Sequence, residues 1–253
     1  MNIVIIGSGN VAAVLGRKCY AAGHRIVQVW GRNASAASEL AYEWDTESTN
    51  YLSLINPDAD VYLLAVSDDA ISTLAAELRL PGRVVAHTAA SVPASVLSKV
   101  TQHYGVLYPL QSLRKEKDTL PEIPLYVDGH DEKAKTLLRR LANSVAPGKV
   151  GSANDDERLR LHVAAVLVSN FVNHLYALAA DYCKKEGLDF EQLHPLIQET
   201  AMRITDISPA AAQTGPAVRH DEETIARHLA ALVDYPALQQ LYTVLTRSIQ
   251  QVR

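Results

Sequence analysis

The chain has 253 residues, 48% of them hydrophobic and 21% charged, with a formal net charge of −4. That length supports a substantial buried core in one large domain or two ordinary ones, and two is the reading adopted here. The mild acidity gives no electrostatic reason to expect nucleic acid or an anionic membrane as a partner, so small molecules are the expected ligands.

The N-terminal run Ile3 to Ile6 is apolar and β-branched, as expected of a strand covered on both faces. It carries no basic leader or cleavage site. No continuous apolar run reaches about 18 residues, so neither a signal peptide nor a membrane span is expected. The strand runs into Gly7-Ser8-Gly9-Asn10-Val11-Ala12, a G-x-G-x-x-A turn that opens a helix over residues 11–22. Gly7 allows a tight turn, Gly9 lets the backbone approach a pyrophosphate, and Ala12 lets the helix pack closely on the strand. A helix N-terminus then offers unpaired N–H groups to the phosphates. A dinucleotide site is the expectation, with Gly7, Ser8, Gly9, Asn10 and Val11 in its phosphate turn.

Gly23 stops the helix, and residues 25–30 complete a βαβ unit. Further strands are expected at 60–66, 83–87, 105–108 and 124–127, with helices at 34–42, after Asp68-Asp69, and at 131–145. Alternating strands and helices over about 150 residues predict an α/β fold, a doubly wound and mostly parallel sheet. Past Gly151 the strand signal disappears. Residues 152–157 carry capping residues and an acidic first turn, and nothing breaks the helix before Gly187, a length of about 48 Å. Helices are also expected near 189–206, 221–232 and 235–252, with a loop from 208 to 218. The predicted division is a nucleotide-binding domain over 1–151 and an all-α domain over 152–253.

An NAD-selective site of this kind ends its second strand with an acid that binds the ribose 2′-hydroxyl. Here the strand ends Trp30-Gly31-Arg32-Asn33. Without a carboxylate, Arg32 can give a 2′-phosphate a charge-assisted contact, which favours NADP over NAD; a solvated surface arginine is the alternative. Gly31, Arg32 and Asn33, together with Ala65, Val66 and Ser67 at the end of the third expected strand, complete the expected cofactor set.

Ligands of open α/β sheets sit beyond the carboxyl ends of the strands. The loops there are Ser67-Asp68-Asp69-Ala70, where Ser67 or Asp68 can also act as a helix cap, His87-Thr88-Ala89-Ala90-Ser91, and Tyr108-Pro109-Leu110-Gln111-Ser112. His87 is a candidate acid–base group or a hydrogen-bonded structural histidine. At 100° per residue, His162, Ser169, Asn170, Asn173 and His174 share one sector of the long helix. That stripe either forms internal hydrogen bonds or faces a cleft toward the nucleotide domain. The candidate catalytic residues are therefore His87, His162, His174 and Asn170. In the stretch from Gln213 to Asp221, Arg219 could meet an acidic substrate and Asp221 could cap a helix, and a plain surface loop is equally compatible. His220 and His228 lack partners at metal-ligand spacing, so no metal is expected. Cys19 and Cys183 lie far apart and suggest neither a disulfide framework nor a metal motif, in keeping with a reducing cytoplasm.

These motifs, with Ser169-Asn-Phe-Val-Asn-His174, Pro195-Leu-Ile-Gln-Glu-Thr200 and Gln213-Thr-Gly-Pro-Ala217, resemble the superfamily of pyrroline-5-carboxylate reductase, deazaflavin-dependent NADP reductases and 6-phosphogluconate dehydrogenase. More narrowly, the chain resembles an uncharacterised two-domain bacterial family whose C-terminal half is a domain of unknown function. The resemblance implies an NADP-dependent oxidoreductase acting on a small carbonyl or imine substrate. It also implies a homodimer formed through the helical domain. Related hydroxyacid dehydrogenases place a lysine four residues before an asparagine of the long helix, and here that position is Val166. The departure leaves a histidine to act as acid, or an imine substrate that arrives protonated. A non-catalytic NADP-binding sensor is the rival reading.

Overall fold

The computed structural model describes residues 1–116 and 119–251. Its first half alternates strands and helices: β1 (Asn2–Ile6), α1 (Asn10–Ala21), β2 (Arg25–Trp30), α2 (Ala34–Glu43), β3 (Glu47–Thr49), β4 (Val61–Leu64), α3 (Asp68–Glu77), β5 (Val84–His87), β6 (His103–Pro109), β7 (Leu125–Gly129), α4 (Glu132–Val145) and β8 (Val150–Ser152). The strands form one eight-stranded sheet in the order β3-β2-β1-β4-β5-β6-β7-β8. Neighbours are parallel except β6 and β7. The strand order reverses between β1 and β4, which opens a crevice at their carboxyl ends.

β1 shows why this sheet is two-sided. Ile3 and Ile5 pack into the core shared with α1, α2 and α4, while Val4 and Ile6 pack into the opposite core with Leu74 and Leu78. All four are fully buried, so the uninterrupted apolar run follows from helices covering both faces. Two strands escaped the sequence reading. β3 is the polar segment Glu-Ser-Thr on the sheet edge, and β8 is Val-Gly-Ser; neither carries an apolar signal.

The remaining elements are helical: α5 (Asp155–Ala165), a π-helical segment (Val166–Phe171), α6 (Val172–Lys185), α7 (His194–Arg203), α8 (Pro209–Ala212), α9 (Glu222–Ala231) and α10 (Pro236–Gln251). The α5 start is a capping box, with Asn154 and Glu157 each accepting the other's backbone N–H at 2.9 Å. Asp221 caps α9 through Thr224 N–H at 3.1 Å. The helix expected over 189–206 is shorter and begins with a 3₁₀ turn at Phe190–Leu193, because Pro195 fixes the first turn of α7. The expected 208–218 loop contains α8.

The chain forms two compact units, Met1–Asn170 and Phe171–Arg253. Strands end with β8, near the expected change at residue 151, but α5 packs with the first unit. The cause is Arg158, whose side chain is 1% exposed. Its Nε donates to the Ala90 carbonyl at 3.0 Å, and its Nη2 donates to the Val92 carbonyl at 2.6 Å and to Asp155 Oδ1 at 2.7 Å. Asp155 Oδ1 also accepts the Ala94 N–H at 3.1 Å. Asp155–Lys185 is continuously helical and contains an 18-residue window long and apolar enough, by length and composition, to cross a membrane. The sequence reading sought an unbroken apolar run, and His162, Ser169, Asn170, Asn173 and His174 interrupt any such run without lowering the average enough.

Candidate active site

The first cavity, of about 680 Å³, lies beyond the carboxyl ends of β1, β2 and β4. Gly7, Ser8, Gly9, Asn10, Val11, Arg32, Asn33, Ala65, Val66 and Ser67 all line it, joined by Trp30 and the first turn of α3. Gly7 has φ +135°, and a Cβ there would stand 2.3 Å from the Ala65 carbonyl oxygen. That close approach between the turn and the end of β4 admits glycine alone. Gly9 plays a different part, since a Cβ there would meet nothing within 4 Å. Space is therefore left over the N-terminus of α1, where the Gly9 cap makes no side-chain hydrogen bond and the first turn holds no acid. Backbone N–H groups at that end suit a pyrophosphate. Gly31 is hemmed in by Ser8 and Ala37, so it belongs to the packing beneath the site.

Arg32 is exposed on the wall of this cavity, beyond β2. Asn33 is more constrained: its side chain accepts the Ala36 N–H at 3.1 Å and caps α2. Ser67 occupies the N-cap position of α3 without making a side-chain cap bond. Its hydroxyl instead holds the Asp69 carboxyl below the usual range, aided by α3 backbone N–H groups. These residues fit a dinucleotide with a 2′-phosphate.

A second cavity, of about 620 Å³, adjoins the first, and Val11 and Asp68 line both. Its floor is Thr88-Ala89-Ala90 after β5, and one side is Tyr108 to Ser112 at the end of β6. The other side is α5 and the π segment, from Leu161 and His162 through Ala164, Ala165 and Val168 to Ser169 and Asn170. The Tyr108 hydroxyl lies 3.2 Å from His162 Nδ1. Burial pushes the Tyr108 phenol up, so at neutral pH it carries its proton and can donate. Asp68 accepts a hydrogen bond from the Ser91 hydroxyl at 2.7 Å, which fixes the carboxylate at the junction.

Of the catalytic candidates, His162 and Asn170 line this cavity and His87 does not. The His87 side chain is fully buried beneath the floor, with Nδ1 accepting the Ala89 N–H at 3.2 Å and Nε2 left without a partner. Burial, together with the nearby Arg158 charge, pushes its pKa down to about 4, so it is neutral at pH 7. His174 sits on α6 in the second unit, whereas both cavity linings come from the first. Of the predicted polar stripe, His162, Ser169 and Asn170 share the wall of this cavity, whereas Asn173 and His174 lie in the second unit. Six residues of i→i+5 winding, Val166–Phe171, intervene between His162 and His174 and invalidate the 100° projection. Exposed Arg219 is likewise in the second unit.

Three residues carry more of this site than the sequence suggested. Tyr108 was legible only as part of a strand-end loop, although the same topological rule that favoured His87 applied to it. Asp68 was read as a possible cap, and Arg158 had no local signal. Arg158 braces the cavity floor from behind through Ala90 and Val92, and its Nη1 is buried without a partner.

Residues 123–249 match the model of a domain of unknown function, DUF2520, and residues 2–91 match that of the coenzyme F420-dependent NADP oxidoreductase domain. Among solved structures, a Bacteroides fragilis protein assigned as an NADP oxidoreductase is 39% identical, with 99% of this chain and 98% of that one covered and a TM-score of 0.91. The fold is shared with a pyrroline-5-carboxylate reductase from Streptococcus pyogenes, at 13% identity, 100% and 99% coverage and a TM-score of 0.66. An imine reductase from Myxococcus stipitatus in complex with NADP+ shares it too, at 16% identity, 99% and 93% coverage and a TM-score of 0.64. No curated protein matches the chain. With half of its length in one family domain and a close full-length relative, the chain belongs to the DUF2520 family, in which an NADP oxidoreductase domain precedes the domain of unknown function.

Proposed function

We propose that the protein is an NADP-dependent reductase that transfers hydride to or from a small carbonyl or imine compound held in the cavity beside the dinucleotide site. The observation that carries this reading is the sharing of Val11 and Asp68 by the two cavities. A nicotinamide reaching that junction would present its reactive carbon to whatever occupies the second cavity, and the bound dinucleotide would supply the hydride. The turn from Gly7 to Val11 holds the pyrophosphate, and Arg32 holds the 2′-phosphate. Tyr108 and His162 are the pair placed to give or take a proton at the substrate heteroatom. Ser169 and Asn170 supply polar contacts on an otherwise apolar wall.

The same reading includes a homodimer formed through the helical half. Among the described residues of the second unit the buried apolar ones are Cys183, Ala217, Ile225 and Leu232, whereas Phe171, Leu196, Met202, Ile204, Val233 and Val244 are exposed. A helical unit with so small a core needs a further surface to cover it, and a second copy offers one.

The test is NADPH oxidation against a panel of small ketones, aldehydes and imines, run beside Ala165→Trp, which fills the second cavity. Turnover by the native protein that disappears in the variant while NADPH still binds is the expected result. Turnover that survives Ala165→Trp would place the substrate elsewhere.

A further inference from the structure

The charge of the second cavity narrows the substrate class. Its walls are largely Val11, Ala89, Ala90, Pro109, Leu161 and Val168, and among the described lining residues there is no lysine or arginine, the basic side chain present being His162, which is engaged with the Tyr108 hydroxyl. One carboxylate enters it, that of Asp68. The nearby Arg158 guanidinium is paired with Asp155 and bound to the carbonyls behind the floor. Asp69, the other acid of the α3 first turn, lines only the cofactor cavity. An apolar chamber with a single anion at its mouth suits a cation with an apolar body and opposes a carboxylate.

The position of Asp68 adds a second argument. Hydride added to the carbon of a protonated C=N⁺ bond becomes a C–H bond, and the former π pair becomes the nitrogen lone pair of a neutral amine. The one positive charge passes from that nitrogen to the oxidised nicotinamide, and no protein proton is consumed. Because Asp68 borders both cavities, its carboxylate would face a positive charge on a substrate in the second cavity and then on a nicotinamide bound at the junction. A ketone would instead develop alkoxide beside that carboxylate, at an electrostatic cost. We infer that Asp68 is the specificity-determining residue of this cavity, selecting protonated imines and their amine products over neutral ketones and over any substrate bearing a carboxylate. This inference rests on the NADP-dependent reading above.

The direct test is calorimetric titration of the NADPH-saturated protein, whose reduced nicotinamide is uncharged, with two probes of matched shape, cyclohexylammonium and cyclohexanecarboxylate, at neutral pH. The native protein is expected to bind the ammonium and not the carboxylate. Asp68→Asn should weaken ammonium binding at least ten-fold, and Asp68→Glu should retain the preference, with circular dichroism and a native-like melting temperature confirming that each variant is folded. Equal binding of both probes, no binding of the ammonium, or unchanged affinity in a folded Asp68→Asn variant would overturn the inference while leaving the cofactor reading intact. Failure of NADPH to bind the native protein would overturn both.

Discussion

The Tyr108 hydroxyl and His162 Nδ1, 3.2 Å apart, join the end of β6 to α5 across the wall of the second cavity. The phenol is raised by burial and remains protonated, so it can donate to a substrate oxygen while the imidazole replenishes the proton. Tyr108→Phe is expected to lower kcat for a ketone or aldehyde by roughly 10²-fold, in the range of a positioned general acid. For an imine already protonated in solution the loss should be much smaller. Steady-state kinetics on both substrate types would reveal the split, and equal losses would argue against proton donation.

The two glycines of the phosphate turn should respond oppositely. Gly7→Ala places a methyl 2.3 Å from the Ala65 carbonyl at φ +135°, and is expected to cost roughly 2 kcal/mol or more of stability. Gly9→Ala meets no neighbour and should cost about 1 kcal/mol or less, yet lower NADPH affinity at least ten-fold by filling the space a pyrophosphate needs. Denaturant titration and calorimetry on the two variants distinguish fold from ligand; a Gly9→Ala protein with native affinity would contradict the placement.

His87 predicts acid lability. Its folded pKa, near 4, lies below the ordinary value of 6.5, so the unfolded chain binds the extra proton in between. Stability therefore falls as pH drops from 6.5 toward 4, by about 3 kcal/mol for this residue. His24 is also lowered and contributes with the same sign. Lowered carboxylates such as Glu43 and Asp131 add their loss only at lower pH, below the usual carboxylate range. Unfolding free energy measured between pH 7 and 5 should slope upward with pH, and the slope should flatten in His87→Gln. An unchanged slope would remove His87 as its source.

The sheet was legible because both of its faces are covered: the uninterrupted apolar run Ile3 to Ile6 and the glycine turn behind it each have one physical reading. The edge strand β3 was not, since an exposed Glu-Ser-Thr pairs through its backbone alone. The residues that line the first cavity were readable from the order of strand, turn and helix. The wall of the second cavity was readable only in part: His162, Ser169 and Asn170 stood out, but the π segment shifts the phase of the long helix and no residue in Val166–Phe171 announces that winding. Arg158 shows the same limit. It lies one turn into an acidic helix start, and its value comes from carbonyls 66 and 68 residues away in sequence.

The helical unit's small core predicts self-association. Light scattering after size exclusion should give twice the chain mass at micromolar concentration. Leu196→Glu together with Met202→Glu should lower it if these exposed positions lie in the interface. A monomer across that range would contradict the dimer.

The central claim is that this chain holds NADP by the turn after β1 and by Arg32. Calorimetric titration with NADPH and NADH, on the native protein and Arg32→Ala, tests it most directly. NADPH is expected to bind at least ten-fold tighter than NADH, a preference that Arg32→Ala abolishes by weakening NADPH alone, as expected for loss of one charge-assisted contact worth roughly 1.5–3 kcal/mol. Equal binding of the two nucleotides by the native protein, or binding of neither, would contradict it.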